Sequence, residues 1–444
     1  MSAGLPQTAT LDDEVTRVTE ENVGKKEVDE AQVEENATTG ADVYPGDNGS
    51  LRAWLVILGI SFTTFGTFGF VNSWGSAQVF QAYYEETLLR DHSPSTIAWI
   101  GSVQYALIFL PGLVTGRLFD IGIFKIPFFL ASVVLVVAIF LTAECKQYWH
   151  FLLCQGFAVG ISCGVIFGPA MGLVGHWFRK RRGLALGVTA VGSSISGTVL
   201  PIASRRLIAQ VGFPWTMRIL GFIIMFVLSI PNITLRRRLP PKKVQGGLVN
   251  LAAFKSLAFT AYTASVLVAF LGLYTVLTYI DISATRAGIS PDFSFYLISI
   301  CNASSLFGRI SAGILTDKLG AINFIAPFTL IAGVLTFAWP FAKTEGSLVA
   351  IAVLYGLCSG TYVSTFLMPI YEMGNVLDVG RRTGMVMTLG AIGALCGPPI
   401  SGAINNATGG FEAVGYYAGS TVVLSVVLML VARHAVLRRF IGKF

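Results

Sequence analysis

The chain has 444 residues, of which 54% are hydrophobic and only 12% charged. A soluble globular protein carries about 25% charged residues, so that class is excluded and the bilayer is the expected solvent. The net charge of +7 is unevenly divided: residues 1–50 hold twelve of the 24 acids against three bases, and the rest of the chain holds 28 bases against 12 acids.

Residues 1–50 contain no apolar run and no basic-then-apolar leader, and their Glu, Thr, Asn and Gly content cannot bury a core, so a disordered, uncleaved acidic tail is expected. Twelve apolar segments follow, at 53–75, 97–117, 124–143, 150–173, 183–204, 215–234, 257–280, 294–315, 321–341, 348–370, 383–404 and 414–433. Each has about the 20 residues that one helical crossing needs, which predicts an all-α polytopic membrane protein. The bases between them mark orientation and meet lipid headgroups; nucleic acid is not the expected partner. The even-numbered loops and the C-terminal segment hold 19 Lys and Arg, among them Arg179–Arg182 and Arg236–Arg238, whereas the odd-numbered loops hold 7. Both termini are therefore expected on the cytoplasmic side.

The chain repeats itself. A shift of 200 residues aligns Gly156 with Gly356, Gly160 with Gly360, Pro169 with Pro369, Arg181 with Arg381 and Arg182 with Arg382. A shift of 197 sets Gly116-x-x-x-Asp120 against Gly313-x-x-x-Asp317. The predicted organisation is a six-helix half over 51–234, a basic linker over 235–256, a second six-helix half over 257–434 and a short tail over 435–444. Duplicated halves suit a transporter that rocks one half against the other around a midplane site. The glycines admit close helix approach, and Asp120 and Asp317 can pair with a base or cap a neighbouring helix N-terminus, which predicts a gate.

The paired Gly-x-x-x-Asp loops resemble the signature of the major facilitator superfamily, with Ile121 in the first copy where an Arg is usual. Two further stretches resemble its monocarboxylate-porter family: Asp47 to Trp54 before segment 1, and Phe178-x-x-x-Arg182-x-x-Ala185-x-Gly187-x-Thr189-x-x-Gly192 at segment 5. The spelling Gly49-Ser-Leu-Arg-Ala-Trp54 followed by Phe80-Gln-Ala-Tyr-Tyr84 is closest to fungal members. The resemblance implies two six-helix pseudo-repeats and alternating-access transport of a small organic anion or carboxylate-bearing metabolite. The alternative within transport is efflux of a fungal specialised metabolite; the alternative of another class is a nutrient sensor of the same fold. It implies a plasma-membrane location, with a vacuolar or other internal membrane as the alternative, and a single copy sufficient for transport.

Charge inside a bilayer is costly, so intramembrane ionisable residues mark function. Arg309 is the one base well inside a segment. Its guanidinium fork matches a carboxylate, and the resemblance places an arginine here in substrate binding and proton coupling. Seven residues before it, Asn302 falls on the same helix face. Asn72, Tyr274 and Tyr362 complete the candidate substrate site, on the analogy that segments 1, 4, 7 and 10 surround the cavity. In the resembling family a carboxylate stands four residues before the arginine and a lysine late in segment 1; here Ser305 and Asn72 occupy those places. No Asp or Glu is expected deep in a span, so proton coupling by that arrangement is not supported. No cofactor is expected. The six cysteines lack metal or redox spacing, no Walker motif exists, and no His/Asp/Glu constellation suits an enzyme. A cysteine introduced at Lys242 should resist a membrane-impermeant maleimide in intact cells and react after permeabilisation; labelling of intact cells would overturn the orientation.

Overall fold

A computed structural model describes residues 49–75, 80–178, 180–239, 247–374, 378–439 and 442. Among them the chain is helix, turn and bend without a strand, and eleven helical stretches are long and apolar enough to cross a membrane. They are α1 (Leu51–Ser73), α2 (Thr96–Asp120), α3 (Lys125–Thr142), α4 (Tyr148–Trp177), the 53-residue Arg182–Thr234, α7 (Leu257–Arg286), α8 (Pro291–Leu319), α9 (Ala321–Phe341), α10 (Glu345–Glu372), α11 (Val379–Thr408) and α12 (Glu412–Leu437). A straight helix of 53 residues would span about 80 Å, against a hydrocarbon core of about 30 Å. It folds at Gly212, whose φ of 78° suits glycine, into α5 (182–211) and α6 (213–234), giving twelve crossings.

Lipid contact sorts the helices. On α3, Ile126, Phe129, Leu130, Val133, Val134 and Val137 form an exposed apolar stripe at helical spacing. The most apolar window of α12 is 28% buried, whereas that of α4 is 72% buried, so α4 is interior. The two halves meet along α2 with α11 and α5 with α8. Glycine makes both crossings close. A Cβ at Gly187 would stand 2.6 Å from the Arg309 carbonyl, one at Gly183 2.7 Å from the Gly313 carbonyl, and one at Gly116 would collide with the Gly380 carbonyl. Within the first half, Gly192 meets the Ser61 backbone of α1, and the α4 stripe of Gly160, Gly164, Gly168 and Gly172 seats on α2.

Helices α1, α4, α7 and α10 are interrupted. Wide turns occupy Phe65–Gly69 in α1 and Leu152–Val159 in α4. Regular helix breaks between Gly272 and Thr275 in α7 and between Thr365 and Met368 in α10. Such interruptions free backbone carbonyls that hydrocarbon cannot satisfy. The α7 and α10 breaks brace each other: the Tyr355 hydroxyl of α10 donates to the Leu273 carbonyl, and the Tyr262 hydroxyl of α7 donates to the Phe366 carbonyl at 2.6 Å. Tyr262→Phe and Tyr355→Phe should each lower stability by about 1–3 kcal/mol, the cost of leaving a buried acceptor unmatched. Thermal unfolding in detergent checks this, with lipid-facing Tyr416→Phe as the neutral comparison; unchanged midpoints for both would dismiss the braces.

Candidate functional site

At the end of the bundle bearing the arginine-rich loops, here the basic end, two carboxylates cross the seams. Asp120, last residue of α2, accepts the N–H groups of Gly380 at 3.1 Å and Arg381 at 2.8 Å. Asp317, in the last turn of α8, accepts those of Gly183 at 2.7 Å and Leu184 at 3.0 Å. In both cases the acceptors serve the second and third residues of the partner helix, where N–H groups lack intrahelical partners and the helix dipole favours an anion. Both acids are helical rather than in loops, because helix contact with the opposite half continues past the apolar run.

Arginines reinforce this end. Arg182 donates from Nε to the Phe178 carbonyl at 2.8 Å and pairs with Glu372 at 3.3 Å. Arg381 pairs with Asp378 at 2.6 Å, and Arg382 donates to the Ile370 carbonyl at 3.1 Å. Where Ile121 replaces the motif arginine, Arg237 of the linker reaches back: it donates to the Asp120 carbonyl at 3.3 Å and lies over the Phe119 ring at 5.1 Å. Burial lowers the Arg237 pKa, and the Asp120 charge opposes that shift. Trp54 packs edge-on to Phe178 at 5.3 Å, joining the start of α1 to the loop before α5.

Above these contacts lies a narrow cavity between closely packed walls. It is lined by Thr64 and Phe68 of α1, Phe109 of α2, Phe167 and Met171 of α4, and Leu186, Thr189, Ala190 and Ser193 of α5. From the second half come Tyr274 of α7, Arg309 of α8, and Val363, Ser364, Phe366 and Leu367 of α10. Tyr274, Phe366 and Leu367 stand at the breaks of α7 and α10, so the interruptions place cavity residues. Arg309 is buried. Its Nη1 donates to the Ala190 carbonyl at 2.9 Å and to Ser193 Oγ, while Nε has no hydrogen-bond partner among the described residues. Nor does the buried Tyr274 hydroxyl.

Of the five substrate-site residues expected from sequence, Arg309 and Tyr274 line this cavity; Asn302, Asn72 and Tyr362 do not. Asn302 does share the Arg309 face, but α5 covers it there: its Nδ2 donates to the Gly197 carbonyl at 3.2 Å. Ser305 on the same face pairs with Ser194 at 2.8 Å. Tyr362 is fully buried one turn behind Phe366, its ring stacked on that ring at 6.0 Å. Asn72 is half-buried near the opposite end of α1. Asp47 lies outside the described residues, as do Arg179 and linker residues 240–246.

The expectation that no acid lies deep in a span is corrected. Asp281 has no exposure and sits inside α7, which runs to Arg286; the apolar run stops at Ile280, but packing continues the helix. Its Oδ1 accepts the Ile282 N–H at 2.7 Å. The reading by segments 1, 4, 7 and 10 also overlooked the contributions of α2 and α5. Tyr105 of α2 packs on Tyr274 at 5.1 Å, and the Gln104-Tyr105 pair within an apolar run was a usable signal.

Comparison with known proteins agrees with this architecture. The pattern of the Major Facilitator Superfamily matches residues 54–373. The aspyridones efflux protein apdF of Emericella nidulans is 36% identical over 391 residues, covering 88% of this chain and 79% of that protein. The agnestins efflux protein AgnL12 of Paecilomyces divaricatus is 31% identical over 420 residues, covering 94% and 96%. The fold is similar to that of FucP, a transporter solved in the outward conformation, with a TM-score of 0.67 at 14% identity, covering 86% of this chain and 98% of FucP.

Hydrogen bonds to a charged group are worth about 1.5–3 kcal/mol, so loss of either aspartate charge should speed amide exchange at its partner helix at least about tenfold. Hydrogen–deuterium exchange should therefore rise at residues 380–381 in Asp120→Asn and at 183–184 in Asp317→Asn. Unchanged exchange at those amides would remove the two acids as latches.

Proposed function

This chain belongs to the Major Facilitator Superfamily, and we propose that it is an alternating-access secondary transporter exporting an anionic, carboxylate-bearing specialised metabolite. The observation that carries this reading is the state of Arg309. Among the described residues no carboxylate lies within 4.0 Å of it, and one edge of its guanidinium is unmatched inside an apolar cavity. A fixed charge there is costly, and a substrate anion is the partner that offsets the cost.

Export is supported by the two fungal relatives, both efflux proteins by name, which favour a specialised metabolite over a simple monocarboxylate nutrient. The resemblance to monocarboxylate porters at Phe178–Gly192 supports the carboxylate. With the basic end assigned to the cytoplasm, the aspartate bonds hold the cytoplasmic side shut, and the plasma membrane is the location consistent with release from the cell. We assign no proton route through α8, because Ser305 is neutral and already paired with Ser194.

Metabolite profiling of cells and medium, with and without the protein, identifies the exported compound; transport in reconstituted vesicles then tests the residue. Arg309→Ala should reduce transport at least about tenfold, corresponding to about 1.4 kcal/mol. Arg309→Lys should retain only part of the activity, since an ammonium keeps the charge without the fork. An anionic product exported at the normal rate by Arg309→Ala would overturn the reading.

A further inference from the structure

We infer that the cavity selects a planar aromatic acid over a short aliphatic one, and that the Tyr274 hydroxyl and the Nε edge of Arg309 together hold its acid group. The inference rests on the anion-export reading and adds the chemical class of the substrate and a specificity-determining residue.

The polar half of the argument concerns which donors are free. Nη1 of Arg309 is engaged by the Ala190 carbonyl and Ser193 Oγ of α5. That bond fixes the guanidinium, and Nε is buried beside it with no hydrogen-bond partner among the described residues. Tyr274, from the break in α7, lines the same cavity, and its buried hydroxyl likewise has no hydrogen-bond partner among the described residues. A guanidinium only donates and a tyrosine hydroxyl can donate, so the complementary guest presents acceptor oxygens bearing negative charge. A neutral amphipath would leave the arginine charge unbalanced.

The apolar half concerns the walls. Phe68, Phe109, Phe167 and Phe366 line the same space. Phe68 and Phe167 lie nearly parallel, 5.9 Å apart with 23° between their planes, and Phe109 meets Phe270 across the two halves at 5.2 Å. Aromatic faces and edges reward a flat ring through offset-stacked and edge-to-face contact. These rings are already buried against one another in this state, so a guest has to part them; a flat ring can replace the ring–ring contacts it displaces, whereas an acid of two or three carbons cannot. Tyr105 adds a constraint. It packs on Tyr274 from the opposite half, so the donor that meets the guest also stands where the halves touch.

The test measures binding of four probes to the purified full chain in nanodiscs: acetate, benzoate, 2-naphthoate and uncharged 2-naphthamide. Affinity should rise from acetate through benzoate to 2-naphthoate by roughly tenfold per ring, and 2-naphthamide should bind at least about tenfold more weakly than 2-naphthoate. Tyr274→Phe keeps the ring and removes an oxygen with no hydrogen-bond partner among the described residues. It should leave the unliganded melting temperature unchanged while weakening 2-naphthoate about tenfold and abolishing most of its advantage over 2-naphthamide. Acetate binding as tightly as 2-naphthoate, or Tyr274→Phe binding 2-naphthoate normally, overturns this inference and leaves anion export standing. Equal affinity for naphthoate and naphthamide, or no binding of any acid, overturns both. The probe series on the unmodified protein decides the aromatic preference even where a variant folds poorly.

Discussion

Hydrocarbon offers no hydrogen-bond partners, so each backbone N–H and C=O in these crossings has to find one within the protein. Uninterrupted helices meet that demand locally, as α3 and α12 do on the lipid-facing rim. The interrupted helices depart from it, and each departure has to be matched from outside the helix. That is why Tyr262 and Tyr355 matter beyond their packing: they serve the carbonyls at the α10 and α7 breaks reciprocally. The same breaks set Tyr274, Phe366 and Leu367 around the cavity. The binding space and the irregular backbone are thus two aspects of one arrangement. It is tolerable only in the interior, where a neighbouring side chain can replace the missing intrahelical bond.

The seams follow from a second economy. Close backbone contact at Gly116 with Gly380 and Gly183 with Gly313 gives the halves broad apposition without bulky interlocking side chains. The polar bonds across the basic end are few and short-ranged. Asp120 and Asp317 each take two N–H groups from the first turn of a helix in the other half, an attachment strong while closed and lost altogether once the helix end moves a few ångströms. Smooth surfaces and a small number of charge-assisted bonds suit parts that separate as rigid bodies. The replacement of the motif arginine by Ile121 fits this scheme, since Arg237 brings the linker between halves onto Asp120 and Phe119.

Much of the architecture was legible because its causes are local or duplicated. Apolar run length located the crossings, and the internal shift exposed Asp120 and Asp317 as counterparts before any contact was known. What depended on tertiary partners was less legible. Helical spacing placed Asn302 beside Arg309, but only the position of α5 determines that this face is a seam; the arginine reaches cavity space while the asparagine is spent on Gly197. Asp281 was hidden because hydropathy marks where a helix stops being apolar, not where packing stops protecting it. Tyr105 is not legible when the cavity is assigned by analogy to segments 1, 4, 7 and 10 with Arg309 and Asn302 of segment 8, because α2 and α5 also contribute to it or border it.

The partial engagement of Arg309 bears on how rocking could be tied to cargo. A guanidinium satisfied on every edge would be a structural cross-link between α5 and α8, and one satisfied on none would be difficult to keep in so apolar a space. Bonding Nη1 alone holds the group in place while leaving its charge unbalanced. If an anion pairs with the remaining edge, the loaded cavity is close to neutral and the empty one carries a positive charge. Moving a full elementary charge through a membrane potential involves about 2.3 kcal/mol per 100 mV, and desolvating it as the cavity closes adds to that. The loaded protein would therefore change state more readily than the empty one, or with a different voltage dependence. On that reasoning, with the proposed anion as cargo, Arg309 would serve two ends at once: recognising the cargo, and making the transition sensitive through its unbalanced charge to whether cargo is present.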